Sequence, residues 1–179
     1  SIAVAALRKA WTTGDRAAAG DDAPADVLNV LFSVPPKGWG SPHCKEGICR
    51  LRKTGVPGSM TWMVEGGSSG YFVGEVDVPP IPLAVAHLPK PVWGLYLAAG
   101  GSGYSQLAAA TAQLQALGMS GQTIGNLPVS CQSSVAERLQ VPAGFYTIVV
   151  FFRRKSEAQT FESGLHFPPI GLLKVTVRC

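Results

Sequence analysis

The sequence predicts an α+β fold, an antiparallel sheet with helices packed on one face. Three observations carry this. β-Branched and aromatic stretches recur through the second half, the strongest at Tyr146-Thr147-Ile148-Val149-Val150. Apolar residues at helical spacing mark separate short segments bounded by Gly or Pro. A strand followed by a helix occurs twice, once from near Trp93 and once from near Tyr146, and two such units favour one antiparallel sheet backed by helices.

Composition fits this class. The chain has 179 residues, 46% of them hydrophobic and 15% charged. That supplies a core and excludes a disordered chain. So little charge also leaves part of the surface to be covered by protein partners in a larger assembly. The net charge is +4, but the basic residues are scattered, with small clusters at Arg50, Arg52, Lys53 and at Arg153, Arg154, Lys155. Neither cluster carries a nucleic-acid motif, so both read as solvated turns and no nucleic-acid partner is expected. No apolar run reaches the ~20 residues of a membrane span; Lys90-Pro91 interrupts the longest, 81–99. Ser1 reads as the first residue of a processed chain.

Four cysteines, Cys44, Cys49, Cys131 and Cys179, form an even set. Cys44–Cys49 closing a small loop and Cys131–Cys179 stapling a final strand is the expected pairing, which implies an oxidising compartment: periplasm, lumen or secreted. Four free thiols in a reducing compartment are the alternative. The spacings do not suit structural zinc.

In chain order, Ala3, Ala6, Leu7, Ala10 and Trp11 share one helical face, and Gly14 ends that helix. A second helix is expected over 25–34, with Asp22 as N-cap, Pro24 in its first turn and Pro35-Pro36 beyond it. Residues 35–58 are rich in Pro and Gly and read as loop, with only 48–52 strand-like. Residues 60–65 and 71–78 form a hairpin around Gly66-Gly67-Ser68-Ser69-Gly70. Strands over 83–88 and 92–99 follow.

The clearest helix spans 104–117, with Leu107, Thr111, Leu114 and Leu117 as its stripe and Gly118 just past its end. Strands are expected over 127–132 and 145–152. A capping box at Ser156-Glu157-Ala158-Gln159 starts a helix to Leu165, and 172–177 is the last strand. The chain thus divides into residues 1–58 (helices, linker and a cysteine-closed loop) and 59–179 (the α+β domain), expected to form one compact unit.

No catalytic motif stands out. Gly66-Gly67-Ser68-Ser69-Gly70 matches G-x-S-x-G, but a strand and not a helix follows it, so it reads as a turn. Gly101-Ser102-Gly103 lies between strand and helix, yet lacks the third glycine of a dinucleotide loop and the lysine of a P-loop. His43, His87 and His166 stand in separate segments, and His43-Cys44 is a neighbour pair rather than a dyad. Glu75 and Asp77 share one strand face, which reads as solvated. Met60, Trp62, Met63, Tyr71, Phe72 and Trp93 fall on predicted strands and either pack a core or line a ligand pocket. His87, in an apolar strand, is either a core histidine or a ligand for a tetrapyrrole iron.

Two resemblances add to this. Met60-Thr61 with Val64, then Val78-Pro79-Pro80, then the stretch 83–101 and an Ala/Leu helix ending in Gly make residues 59–152 similar to the SOUL haem-binding and GyrI-like family. That resemblance implies a pocket for haem or another tetrapyrrole, with His87, Met60, Trp62 and Trp93 as its candidate lining. Val92-Trp93-Gly94-Leu95-Tyr96-Leu97 before an Ala-rich helix, with 145–152, Arg154-Lys155-Ser156-Glu157-Ala158 and 172–178, also resembles a SPOR domain, a βαββαβ peptidoglycan-binding module. Three functions follow as expectations. The first is a non-catalytic binding domain for a hydrophobic or tetrapyrrole-like molecule. The second is a structural or accessory subunit of a large assembly. The third is a peptidoglycan-binding module.

Overall fold

The computed structural model describes all residues, Ser1–Cys179. The fold is α+β, with two antiparallel four-stranded sheets where the sequence predicted one. The chain forms two compact units. The first is Ser1–Thr54 with Gly58–Pro79; the second is Gly55–Pro57 with Pro80–Cys179. The division expected at residue 58 therefore moves. The hairpin after it pairs with the strand before it, and backbone pairing holds the two together.

In the first unit, helix α1 (Ile2–Thr13) buries Ala3, Val4, Leu7, Ala10 and Trp11. Gly14 ends it in the left-handed region at φ 74°, where glycine carries no steric penalty. Helix α2 (Ala25–Phe32) starts at Pro24, not at Asp22. The Asp22 carbonyl instead accepts the Val73 N–H at 2.8 Å. Strands β1 (His43–Lys45), β2 (Ile48–Leu51), β3 (Met60–Gly67) and β4 (Gly70–Asp77) pair in chain order. The Gly-rich loop shrinks to the two-residue turn Ser68-Ser69 between β3 and β4. Helices α1 and α2 pack on β4. Trp11 meets Trp62 edge-on, ring centroids 6.0 Å apart, inside an aromatic core.

The second unit runs β5 (Val92–Gly100), α3 (Ser105–Ala116), β6 (Ile124–Pro128), α4 (Val135–Leu139), β7 (Tyr146–Phe152), α5 (Lys155–Ser163) and β8 (Gly171–Val175). The sheet order is β6-β7-β5-β8. The crossovers through α3 and through α5 therefore each skip one strand, giving two interlocked split βαβ units, while β6 and β7 lie side by side. Both sheet faces are covered. On one, α3 and α5 bring Leu107, Leu114 and Phe161 against Leu95, Ile148, Val150 and Phe152. On the other, Tyr96, Val149, Phe151 and Leu173 meet Val129 and Val135, with Leu83, Val85 and Leu88 laid over them. A strand buried on both faces reads as a continuous apolar run, which is what β7 is.

Three expected elements differ. Residues 83–88 are an extended segment with a 3-10 turn at Val85–His87, not a strand. Its N–H groups reach sideways, Leu83 to the Phe151 carbonyl (2.8 Å) and Val85 to the Gln122 carbonyl (2.9 Å). The strand expected over 127–132 begins earlier, at Ile124, and gives way to a 3-10 turn at Val129–Cys131. The capping box slides two residues: Arg154 is the N-cap of α5, and its N–H donates to the Glu157 carboxylate at 3.0 Å.

Candidate functional site

The predicted pocket residues fall two in each unit, Met60 and Trp62 in the first and His87 and Trp93 in the second. Met60 and Trp62 are fully buried in the sheet of the first unit, where the Trp62 indole N–H donates to the Met60 sulfur at 3.1 Å. They follow the core alternative: on β3 the period of two turns both inward. His87 is exposed, in the 3-10 turn of the second unit. Trp93 lies half-buried on β5, opposite Phe152 and Lys174, with the Lys155 ammonium 5.6 Å from its ring centroid. Met63 and Tyr71 are exposed, and Glu75 and Asp77 point to solvent.

Cys44 and Cys49 are cross-strand partners at disulfide distance, Cα atoms 3.9 Å apart. Cys131 and Cys179 form the second such pair, 5.0 Å apart. The Arg178 N–H donates to the Cys131 carbonyl beside it. With Cys44 committed to Cys49, the His43-Cys44 neighbours offer no thiol. No three His, Cys, Asp or Glu side chains group closely enough to hold a metal ion, and no helix is long and apolar enough to cross a membrane.

Two open clefts stand out. One, of about 410 Å³, runs along the end of α1 and is lined by Trp11, Phe32, Pro35 and Pro36 among others. Its backbone is used internally: the Trp11 indole N–H donates to the Val34 carbonyl at 2.9 Å. Nearby in the same unit, Arg8 donates through Nη2 to the Trp39 carbonyl and lies 4.9 Å from the Trp11 ring centroid. Burial pulls its guanidinium below the ordinary value.

The other cleft, of about 400 Å³, lies in the second unit between β5 and α3. Leu97, Ala98 and Ala99 of β5 form its floor, Gln106, Ala109, Ala110 and Gln113 of α3 one wall, and Leu139, Val141 and Ile170 the other. None of these residues is charged. None of the residues expected from the sequence to line a pocket lines this one. The signal for those that do was weak. In the helix over 104–117 the alanines read as close packing, and here Ala109 is exposed and leaves room at the surface instead.

Beneath the cleft, Tyr96 anchors a buried polar chain. Its hydroxyl donates to Gln132 Oε1 (2.8 Å), and Gln132 Nε2 donates to the Thr147 hydroxyl (2.9 Å) and the Pro128 carbonyl (3.0 Å). Burial pushes the Tyr96 phenol well above its ordinary value, so it stays a donor. The chain is fully satisfied and therefore structural.

No known protein family, curated protein or solved structure matches this chain.

Proposed function

We propose that this chain is a non-catalytic protein-binding domain, an accessory subunit of a larger assembly that works in an oxidising compartment. The uncharged cleft beside β5 carries the reading. It is open rather than enclosed, its lining is small and apolar, and two glutamine amides edge it. Small-molecule sites usually enclose most of the ligand's surface; an open, uncharged groove suits a protein segment better. The two cysteine pairs at bonding distance support the compartment.

The tetrapyrrole reading draws its residues from both units, Met60 and Trp62 from the core of the first and His87 and Trp93 from the second. The peptidoglycan reading keeps one supporting observation, the order of residues 92–175, which is βαββαβ apart from the short α4 between β6 and β7. Such an order hosts many functions, and here both sheet faces are covered by the chain's own side chains.

Native size exclusion of an extract from the source tests the proposal. The chain is expected to elute in a complex above its monomer mass, with a partner in fixed stoichiometry. Elution as a free monomer would sink the assembly role. Haemin titration and sedimentation with purified peptidoglycan are the counter-tests: a Soret shift lost in His87→Ala, or pelleting lost in Trp93→Ala, would replace this reading.

A further inference from the structure

The two edges of the second sheet are finished differently. β6 begins at Ile124, opposite Val150, and leaves Phe151 of β7 beyond its reach. The chain fills that place itself, for the Leu83 N–H bonds the Phe151 carbonyl at 2.8 Å. On the opposite edge β8 stops at Gly171, opposite Tyr96. Ile170 adds one bond, its N–H to the Tyr96 carbonyl at 2.8 Å, and the chain then leaves. β5 runs on from Leu97 to Gly100 with β7 on one side and no strand on the other.

The register says which backbone groups face that open side. In an antiparallel ladder, N–H and C=O alternate between the two neighbours. Phe145 and Phe151 turn their carbonyls away from β5, toward Val129 and Leu83, so the odd residues of β7 bond on the β6 side. Thr147 is one of these, and Ala99 of β5 stands opposite it. Ala99 therefore points its own N–H and C=O outward, at the open edge. The register shift between Tyr96 and Ala98 is what places it there. Neither group has a partner within the protein. Ala99 is only half-buried and lies on the floor of the cleft.

We infer that this edge takes an extended segment of a partner protein, paired to β5 through Ala99 in line with β8. The inference rests on the protein-binding reading above and gives its mode. Strand addition draws its affinity from main-chain bonds and its specificity from side-chain pockets. The occupant is an uncharged strand with small or apolar side chains, because no cleft residue is charged and the exposed Ala109 leaves space for side chains on the α3 side. The segment that fills the other edge, Pro80-Ile81-Pro82-Leu83, is itself extended, apolar and uncharged.

A display library of random short linear peptides, panned on the full chain, tests this. Enriched peptides are expected to be uncharged and apolar at alternate positions. Their binding should protect the Ala99 amide from hydrogen exchange. It should weaken about tenfold or more when alternate peptide nitrogens are methylated, and likewise in Ala109→Arg, an exposed helix position that fills the cleft without touching the core. Ala108→Arg, on the same helix but outside the cleft, should bind as the parent does. No enrichment, or binding indifferent to both methylation and Ala109→Arg, overturns strand addition. If the chain still elutes in its native complex, only the mode is wrong; if it elutes free, the protein-binding reading falls as well.

Discussion

The two sheets of this protein have the same number of strands and opposite logics. In the first, strands follow one another across the sheet, β1-β2-β3-β4, so each pairing is made by a turn or short loop. In the second, β6-β7-β5-β8, no strand lies beside both of its neighbours in the chain, and the α3 and α5 crossovers each span another strand. The first sheet is held by local closure around an aromatic pair. Only β6 and β7 are neighbours both in the chain and in this second sheet; β5 must reach past β6 to β7 and on to β8, and that loop-closure entropy is lost before those pairings form. The difference shows where covalent cross-links matter. Cys44–Cys49 closes a loop whose strands are already neighbours. Cys131–Cys179 spans a sequence separation of 48 and ties the tail after β8 back to the turn after β6.

That contrast can be broken most directly at the cysteines. Replacing Cys131 and Cys179 together by Ser should cost about 4 kcal/mol, and replacing Cys44 and Cys49 about 2 kcal/mol, by loop-closure entropy. Urea unfolding under non-reducing conditions would read both. Equal losses would show that the interlocked sheet gains nothing extra from its long closure.

A smaller effect is expected inside the second sheet. Tyr96→Phe keeps the ring but leaves Gln132 Oε1 without its donor, in a site where both residues are buried. The cost should be roughly 1–3 kcal/mol, the penalty for an unsatisfied buried acceptor. A neutral result by chemical denaturation would mean that water replaces the phenol, and that this core is wetter than the aromatic one.

The smallest effect belongs to the first unit and depends on pH. Burial, and then the adjacent charge of Asp21, raises the Asp22 carboxyl above its ordinary 3.8. A raised folded-state value means that the folded chain holds this proton more tightly. The contribution is complete below pH 3.8 and is lost as pH rises through the folded-state value. Asp22→Asn should therefore match the parent in acid and be slightly more stable at neutral pH. A variant less stable at neutral pH would show that the carboxylate is engaged, and that the β4 edge relies on more than the Asp22 carbonyl.

Much of the second unit was legible from its residues. The helix near Tyr104, the strand ending at Phe152 and the strand–helix recurrence follow from periodicity and propensity, which are local. The first sheet was only half legible. β1 is three exposed residues, His43-Cys44-Lys45, with no apolar alternation to betray it. Residues 83–88 misled in the opposite way. Their apolar run is real, but it covers a sheet face and bonds an edge instead of forming a strand. His87 was placed in a strand for that reason, and it lies in a 3-10 turn instead.

The cleft was not legible, because it depends on where one strand stops beside another. Only the register at Gly171 leaves Ala99 unpaired. Alanines at those positions carry no signal of their own.

The tail beyond β8 has a mechanical consequence. A load applied at Cys179 passes through its sulfur partner into Cys131, on the far side of the sheet order from β8. Once bonded, that linkage carries the tension past β8 instead of through it. β8 cannot then be unzipped from β5 one hydrogen bond at a time. It bears none of that load. A segment docked in line with β8 would thus be joined to a part of the sheet that this tension bypasses.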